Sequence, residues 1–137
     1  MTLNELWDQT GRVVVVDEGE HADIVGEFLD MNGATILKAS LSTVQLTLYD
    51  RETLAIINSR NLQNVLDANG CTVDSSGEIT MRLNATDNAI LDVAEELEAG
   101  DIEEHIARFT WGWNDGVLAR EGKEEWLVRV AKLNVPV

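Results

Sequence analysis

The two histidines are the residues that most readily suggest catalysis, because a histidine beside a serine or cysteine can activate it as a nucleophile. His21 and His105 each lie near acidic residues, and no Gly-x-Ser-x-Gly motif accompanies either of them. Folding alone could bring a serine or Cys71 to a histidine, and no sequence pattern indicates it. We therefore interpret His21 as part of an exposed turn and His105 as the end of a strand, and we predict no catalytic residue.

Acidic residues crowd one short stretch near the N-terminus, and carboxylates are among the oxygen ligands that calcium prefers. Asp17, Glu18, Glu20 and Asp23 could supply such ligands, but their spacing differs from that of an EF-hand loop. An exposed acidic turn is the favoured interpretation, with a calcium site as the alternative. Paired carboxylates could also support glycoside hydrolysis, but among 25 acidic residues some pair is close by chance. We predict no bound metal and no cofactor.

The four tryptophans allow two interpretations. Trp111 and Trp113 share one face of a predicted strand, and Trp126 lies on its predicted partner strand. Aromatic burial is common in sandwich interiors, so core packing is the favoured interpretation. The alternative is an exposed aromatic platform, which would make the chain a carbohydrate-binding β-sandwich module. Trp7 lies in a possible terminal arm and is the better candidate for contact with a partner protein.

The net charge of the chain is −15, from 25 acidic and 10 basic residues. Such a surface repels phosphate backbones and anionic lipids, so we expect no direct nucleic-acid partner and no membrane association. The longest apolar run, Val13 to Val16, is too short to cross a bilayer, and we expect no signal peptide. The single cysteine, Cys71, indicates synthesis in a reducing cytoplasm. The acidic segment from Asp92 to Glu104 predicts a solvated connection, or a surface for a basic partner.

Apolar and polar residues alternate with a period of two along much of the chain, which is the pattern of half-buried strands. The clearest case is His105 to Trp113. Thr43 to Tyr49 and Thr53 to Asn58 read as a hairpin. The other predicted strands are Arg12–Val16, Ile24–Leu29, Ala34–Ala39, Cys71–Val73, Ile79–Leu83 and Glu125–Leu133. Leu62–Ala68 and Ala89–Leu97 are predicted as short helices.

About seven to nine short strands separated by turn signals predict an all-β, antiparallel sandwich or barrel with one or two short helices. The length of 137 residues suits one domain. We divide it into an N-terminal arm or short helix at 1–11 and a β-sandwich domain at 12–137. The predicted core consists of Val44, Leu46, Leu48, Ile79, Met81, Leu83, Phe109, Trp111, Trp113, Trp126, Val128 and Val130.

Several stretches of the chain resemble small structural proteins of tailed bacteriophages. They are Glu27–Gly33, Ser42–Asp50, Ile56–Asn58, Asn64–Asp67, Gly77–Thr80 and His105–Trp113. Over about residues 24 to 134, the spacing of the predicted strands and turns is similar to that of the immunoglobulin-like N-terminal domain of phage baseplate upper proteins. The resemblance implies an immunoglobulin-like β-sandwich and transfers no functional residue.

The resemblance also implies a virion component, made in the host cytoplasm. Its partners would be portal, connector, capsid or tail proteins, and it would act as a homo-oligomer. Because the chain lacks the C-terminal receptor-reading domain of baseplate proteins, a head–tail neck or head-completion role is favoured. The terminal segments are the expected contact regions, through Leu3, Leu6, Trp7, Val135 and Val137.

Overall fold

The computed structural model of the protein describes residues 12–91 and 101–133, and strands dominate these ranges. The strands are β1 (Val13–Asp17), β2 (Ala22–Glu27), β3 (Leu41–Asp50), β4 (Gln63–Asn64), β5 (Cys71–Val73), β6 (Glu78–Leu83), β7 (Ile102–Asn114) and β8 (Ala119–Ala131). The helical structure in the described part is one short 3-10 helix, Lys38–Ser40.

Two sheets pack face to face, which confirms the predicted all-β sandwich. One sheet has five strands in the order β1-β8-β7-β3-β4, and the other has three in the order β2-β6-β5. Their inner faces contribute to a single hydrophobic cluster. Neighbouring strands are antiparallel with one exception, since β1 runs parallel to β8 and pairs Val13 with Leu127.

The long strand β7 lies between β3 and β8 and carries the inner row of the larger sheet. Its register places Ala107 opposite Leu48, Phe109 opposite Leu46 and Trp111 opposite Val44. Among the predicted core residues Trp126 is half-buried. The others are buried: Val44, Leu46, Leu48, Ile79, Met81, Leu83, Phe109, Trp111, Trp113, Val128 and Val130.

Trp111 depends on a glycine of the neighbouring strand for its space. Its ring stacks on Phe28, with the ring centroids 4.2 Å apart and an angle of 7° between the planes. It also lies close to Gly122, where an added Cβ would come within 2.5 Å of the indole. A side chain at this position would therefore collide with the ring, which explains the glycine in the middle of β8.

Several predicted elements are wrong in type or extent. The helix at Leu62–Ala68 is absent, because Leu62 and Asp67 have positive φ angles, which a right-handed helix cannot accommodate. The return strand at Ala34–Ala39 is reduced to one bridge at Thr35 and the 3-10 helix.

Two more predictions change in extent. Thr53–Asn58 forms a single bridge, from Ile56 to Tyr49, because the turn after β3 is held by Asp50 instead of a continued ladder. The strand predicted at Glu125–Leu133 begins six residues earlier, at Ala119, because it pairs with β7 along its full length. The predicted helix at Ala89–Leu97 is not formed at residues 89–91, and its remainder and the arm at 1–11 lie outside the described residues.

Candidate functional site

A cleft of about 730 Å³ lies at one end of the sandwich, beside the turn between β7 and β8. The loop after β2 contributes Met31 and Leu37, and the turn contributes Val117. Met31 is 78% exposed and Val117 is 85% exposed, whereas Trp113, which also lines the cleft, is buried. We call Met31, Leu37 and Val117 the hairpin-end patch. Exposed apolar residues gathered around a cleft are typical of protein-binding surfaces.

Two aspartates shape the loops that carry this patch. Oδ1 of Asp30 accepts hydrogen bonds from the backbone N–H groups of Asn32 and Ala34, at 2.8 and 3.0 Å. Oδ1 of Asp115 accepts them from Val117 and Leu118, at 2.8 and 2.7 Å. Such bonds hold a turn in one shape, so the apolar side chains project from defined positions.

The charge of Asp115 is balanced within the same turn. Nε of Arg120 donates to its second oxygen, Oδ2, at 2.8 Å. The backbone N–H of Leu118, with help from Arg120, lowers the pKa of Asp115 to about 2. The carboxylate therefore stays ionised and paired at neutral pH, and this ion pair adds little net charge beside the hairpin-end patch.

A second group of polar residues is buried at the opposite end of β7. Asp50, at the end of β3, pairs in register with His105, and Glu103 lies two residues before His105 on the same face. Nε2 of His105 lies 2.6 Å from Oε1 of Glu103, which also accepts a hydrogen bond from the backbone N–H of Leu91 at 2.9 Å. Potential ligand atoms of the three residues all lie within 4.8 Å of one another. Within residues 12–91 and 101–133 this is the only such group of three or more.

A buried ion pair joins the two sheets at a third place. Nε and Nη2 of Arg60 donate to the two oxygens of Asp87, at 2.6 and 3.0 Å. Arg60 belongs to the loop between β3 and β4, and Asp87 follows β6, so the pair links loops of different sheets. Arg60 also lines a polar cleft of about 410 Å³ together with Arg82. Both arginines are neutralised by aspartates, so the cleft offers no surplus positive charge to an anion.

The four acidic residues of the alternative calcium site form no group of three or more potential ligands in the described part of the chain. Glu18 lies 3.4 Å from Nζ of Lys132, and Asp23 pairs with Arg82 on a different strand. His21 is exposed, in agreement with its interpretation as a turn residue. Cys71 is buried, and its loss of hydration raises its thiol pKa to about 11, which leaves it protonated and a poor nucleophile at neutral pH.

Trp111 and Trp113 are buried, so their faces are not presented to a ligand. Trp126 is half-buried. The predicted contact residues of the termini lie outside the described residues: Leu3, Leu6, Trp7, Val135 and Val137.

The sequence analysis predicted none of three features: the buried group of Asp50, Glu103 and His105, the buried pair of Arg60 and Asp87, and the hairpin-end patch. The first of these groups could have been predicted in part. Glu103 and His105 are two residues apart next to and on the strongest predicted strand, so their side chains share a face. The partner Asp50 follows only from the register between β3 and β7. Neither Arg60 nor Asp87 has any local pattern that marks it as buried.

The chain matches no protein-family model, and no curated protein matches it significantly. In the parts of the chain that are described, no helix is both long and apolar enough to span a bilayer.

Proposed function

We propose that this protein is a structural subunit that works by assembly with other proteins, as a component of a tailed-phage virion. The hairpin-end patch is the observation that carries the assembly role, since an acidic chain displays apolar side chains there on hydrogen-bonded turns. The virion role and the immunoglobulin-like relationship are supported by the resemblance of the strand and turn spacing to that of small structural proteins of tailed phages. A neck or head-completion position remains the favoured location within the particle.

The occupant that we propose for the patch is a second copy of the same chain. Each copy carries a net charge of −15, so two copies repel each other over most of their surfaces. The patch suits self-association because its side chains are apolar and Asp115 is neutralised by Arg120. Contact through this end would bury Met31 and Val117.

The salt dependence of association separates this proposal from binding to a basic partner. Added salt screens repulsion between like-charged copies, so self-association strengthens with ionic strength. Attraction between the acidic chain and a basic partner would weaken under the same change. Light scattering coupled to size-exclusion chromatography, at about 50 and about 500 mM NaCl, measures the mass directly.

Two valine substitutions test the surface. Val117→Asp places a charge in the patch, whereas Val15→Asp places one on β1, where Val15 is 68% exposed and lies away from the cleft. We expect wild type and Val15→Asp to form the same oligomer and Val117→Asp to be monomeric. A monomeric wild type at high salt, or equal effects of the two substitutions, would overturn self-association through the patch.

The virion role has its own test. Mass spectrometry of purified particles, from a phage whose genome encodes this chain, should detect the protein at a constant copy number per portal ring. Absence from intact particles would refute the virion role and leave the oligomer measurement valid.

The carbohydrate-binding alternative has less support. The two tryptophans that would form the platform, Trp111 and Trp113, are buried, and Trp111 already stacks on Phe28. Trp126 alone retains a partly accessible surface among the tryptophans described.

A further inference from the structure

We propose that Asp50, Glu103 and His105 bind one divalent transition-metal ion of the zinc class. This site goes beyond the proposed assembly role and does not depend on it. It lies at the end of β7 opposite the hairpin-end patch, and its residues come from two neighbouring strands of the larger sheet.

The first support is the set of donors. Zinc is bound in proteins by histidine nitrogen and carboxylate oxygen at about 2.0–2.2 Å, usually with four ligands in a tetrahedron. Two donors at that distance from one ion are about 3.4 Å apart, and the three donors here lie within 4.8 Å of one another. Modest side-chain rotation therefore brings one nitrogen and two oxygens around an ion, with water as the fourth ligand.

The second support is the unsatisfied imidazole of His105. The side chain is fully buried, and Nε2 faces Glu103. Nδ1 is buried and has no hydrogen-bond partner. A neutral imidazole has one N–H group and one lone pair, so with the proton on Nδ1 the lone pair of Nε2 faces Oε1 of Glu103 at 2.6 Å, where two acceptors repel each other unless a cation lies between them. A metal ion is the partner that such a lone pair accepts.

The third support is the burial of two carboxylates beside this imidazole. Burial disfavours negative charge unless a cation or hydrogen-bond donors compensate for the lost hydration. Oδ1 of Asp50 accepts the backbone N–H groups of Glu52 and Thr53, both at 2.9 Å. A divalent ion would add positive charge beside both carboxylates.

Two arginines near this end of β7 contact Glu104. Arg51 binds Glu104 at 2.7 Å, and Arg129 lies 3.6 Å from the same carboxylate. Glu104 lies between Glu103 and His105 in sequence, so its side chain points away from theirs. The alternation along β7 thus places Glu104 on one face of the strand and Glu103 and His105 on the other.

Mixed nitrogen and oxygen ligation also indicates which ion to expect. Calcium needs six to eight oxygen ligands, and magnesium keeps most of its water, so neither suits a site with an imidazole. Zinc, and other first-row ions that accept imidazole, do suit it.

The test is a Zn²⁺ titration of the full chain after removal of metals with a chelator. A large excess of Ca²⁺ and Mg²⁺ occupies the exposed acidic surface, so that the remaining calorimetric signal reports a selective site. We expect one Zn²⁺ per chain and a higher melting temperature. We expect His105→Gln and Asp50→Asn to weaken binding by at least about 100-fold, because even outer partners of metal ligands contribute 10–100-fold.

Matched controls are His21→Gln and Asp17→Asn, which replace the same residue types at exposed positions. Both should bind Zn²⁺ as wild type does. Imidazole nitrogen NMR of the wild type keeps the test decisive even if the His105 variant fails to fold. Zn²⁺ should shift the resonances of His105 and leave those of His21 unchanged.

Two results would overturn the site. One is the loss of all Zn²⁺ binding under excess Ca²⁺ and Mg²⁺, which would show that only the acidic surface attracts the ion. The other is stoichiometric binding with unchanged His105 resonances, which would place the ion elsewhere. In either case the His105–Glu103 contact is a structural hydrogen bond.

Discussion

We expect Arg60→Leu to destabilise the fold strongly, because it leaves the buried carboxylate of Asp87 without its cation. Removing one partner of a buried ion pair typically costs about 3–5 kcal/mol. The Asp87 carboxylate would keep two hydrogen bonds, from the side chain of Asn58 at 2.9 Å and the backbone N–H of Asn84 at 2.8 Å. Because these two hydrogen bonds remain, we expect the free energy of unfolding to fall by about 3 kcal/mol, the lower end of that range. This is a large share of the ~5–15 kcal/mol that typically stabilises a domain.

A second arginine pair supplies a control with similar geometry and different burial. Arg82 donates to both oxygens of Asp23, at 2.9 and 3.1 Å, but its side chain is 62% exposed. Water solvates both groups when this pair is broken, so Arg82→Leu should shift the unfolding midpoint only slightly. The two variants therefore compare a buried pair with an exposed one, and Arg60 additionally donates to Oε1 of Gln63 and to the carbonyl of Asn69.

Urea unfolding followed by tryptophan fluorescence and far-ultraviolet circular dichroism measures both variants. With an unchanged slope of the transition, the midpoint shift reports the change in the free energy of unfolding. Adding Asp87→Asn to Arg60→Leu should recover part of the loss, because it removes the uncompensated charge. Equal midpoint shifts for Arg60→Leu and Arg82→Leu, or no recovery in the double variant, would refute this explanation.

Two further predictions concern the hairpin of β7 and β8. Gly122→Ala should cost about 1–3 kcal/mol, as overpacking does, and change the near-ultraviolet dichroism of Trp111. Gly26→Ala, whose Cβ would lie 3.3 Å from an indole, should cost less, so an equal or larger loss would contradict the role of the closer contact. Asp115 has a lowered pKa, so its carboxylate stabilises the fold above the unfolded value of about 3.9 and this contribution is lost as the pH falls toward about 2. The difference in urea midpoint between wild type and Asp115→Ala should therefore shrink over that range, and a constant difference would refute the pairing.

The strongest strand patterns were readable because side chains of a strand alternate between its faces whatever its neighbours are. This alternation identified Val44, Leu46 and Leu48 as one row and Phe109 and Trp111 as another. The prediction of a helix at Leu62–Ala68 was wrong because contacts with a distant strand determine the backbone there. Helix propensity is weak compared with tertiary context, and here the backbone N–H of Val65 donates to the carbonyl of Val44 on β3.

By itself the sequence determined the all-β class, the inward rows of the long strands and the acidic surface, since each depends on residue type and on the short period of a strand. Tertiary structure alone decided which distant residues meet. Asp50 joins His105 through the register of β3 against β7, and Arg60 reaches Asp87 through the packing of two sheets. Register and sheet packing are set by the summed contacts of whole strands, so no local pattern records them.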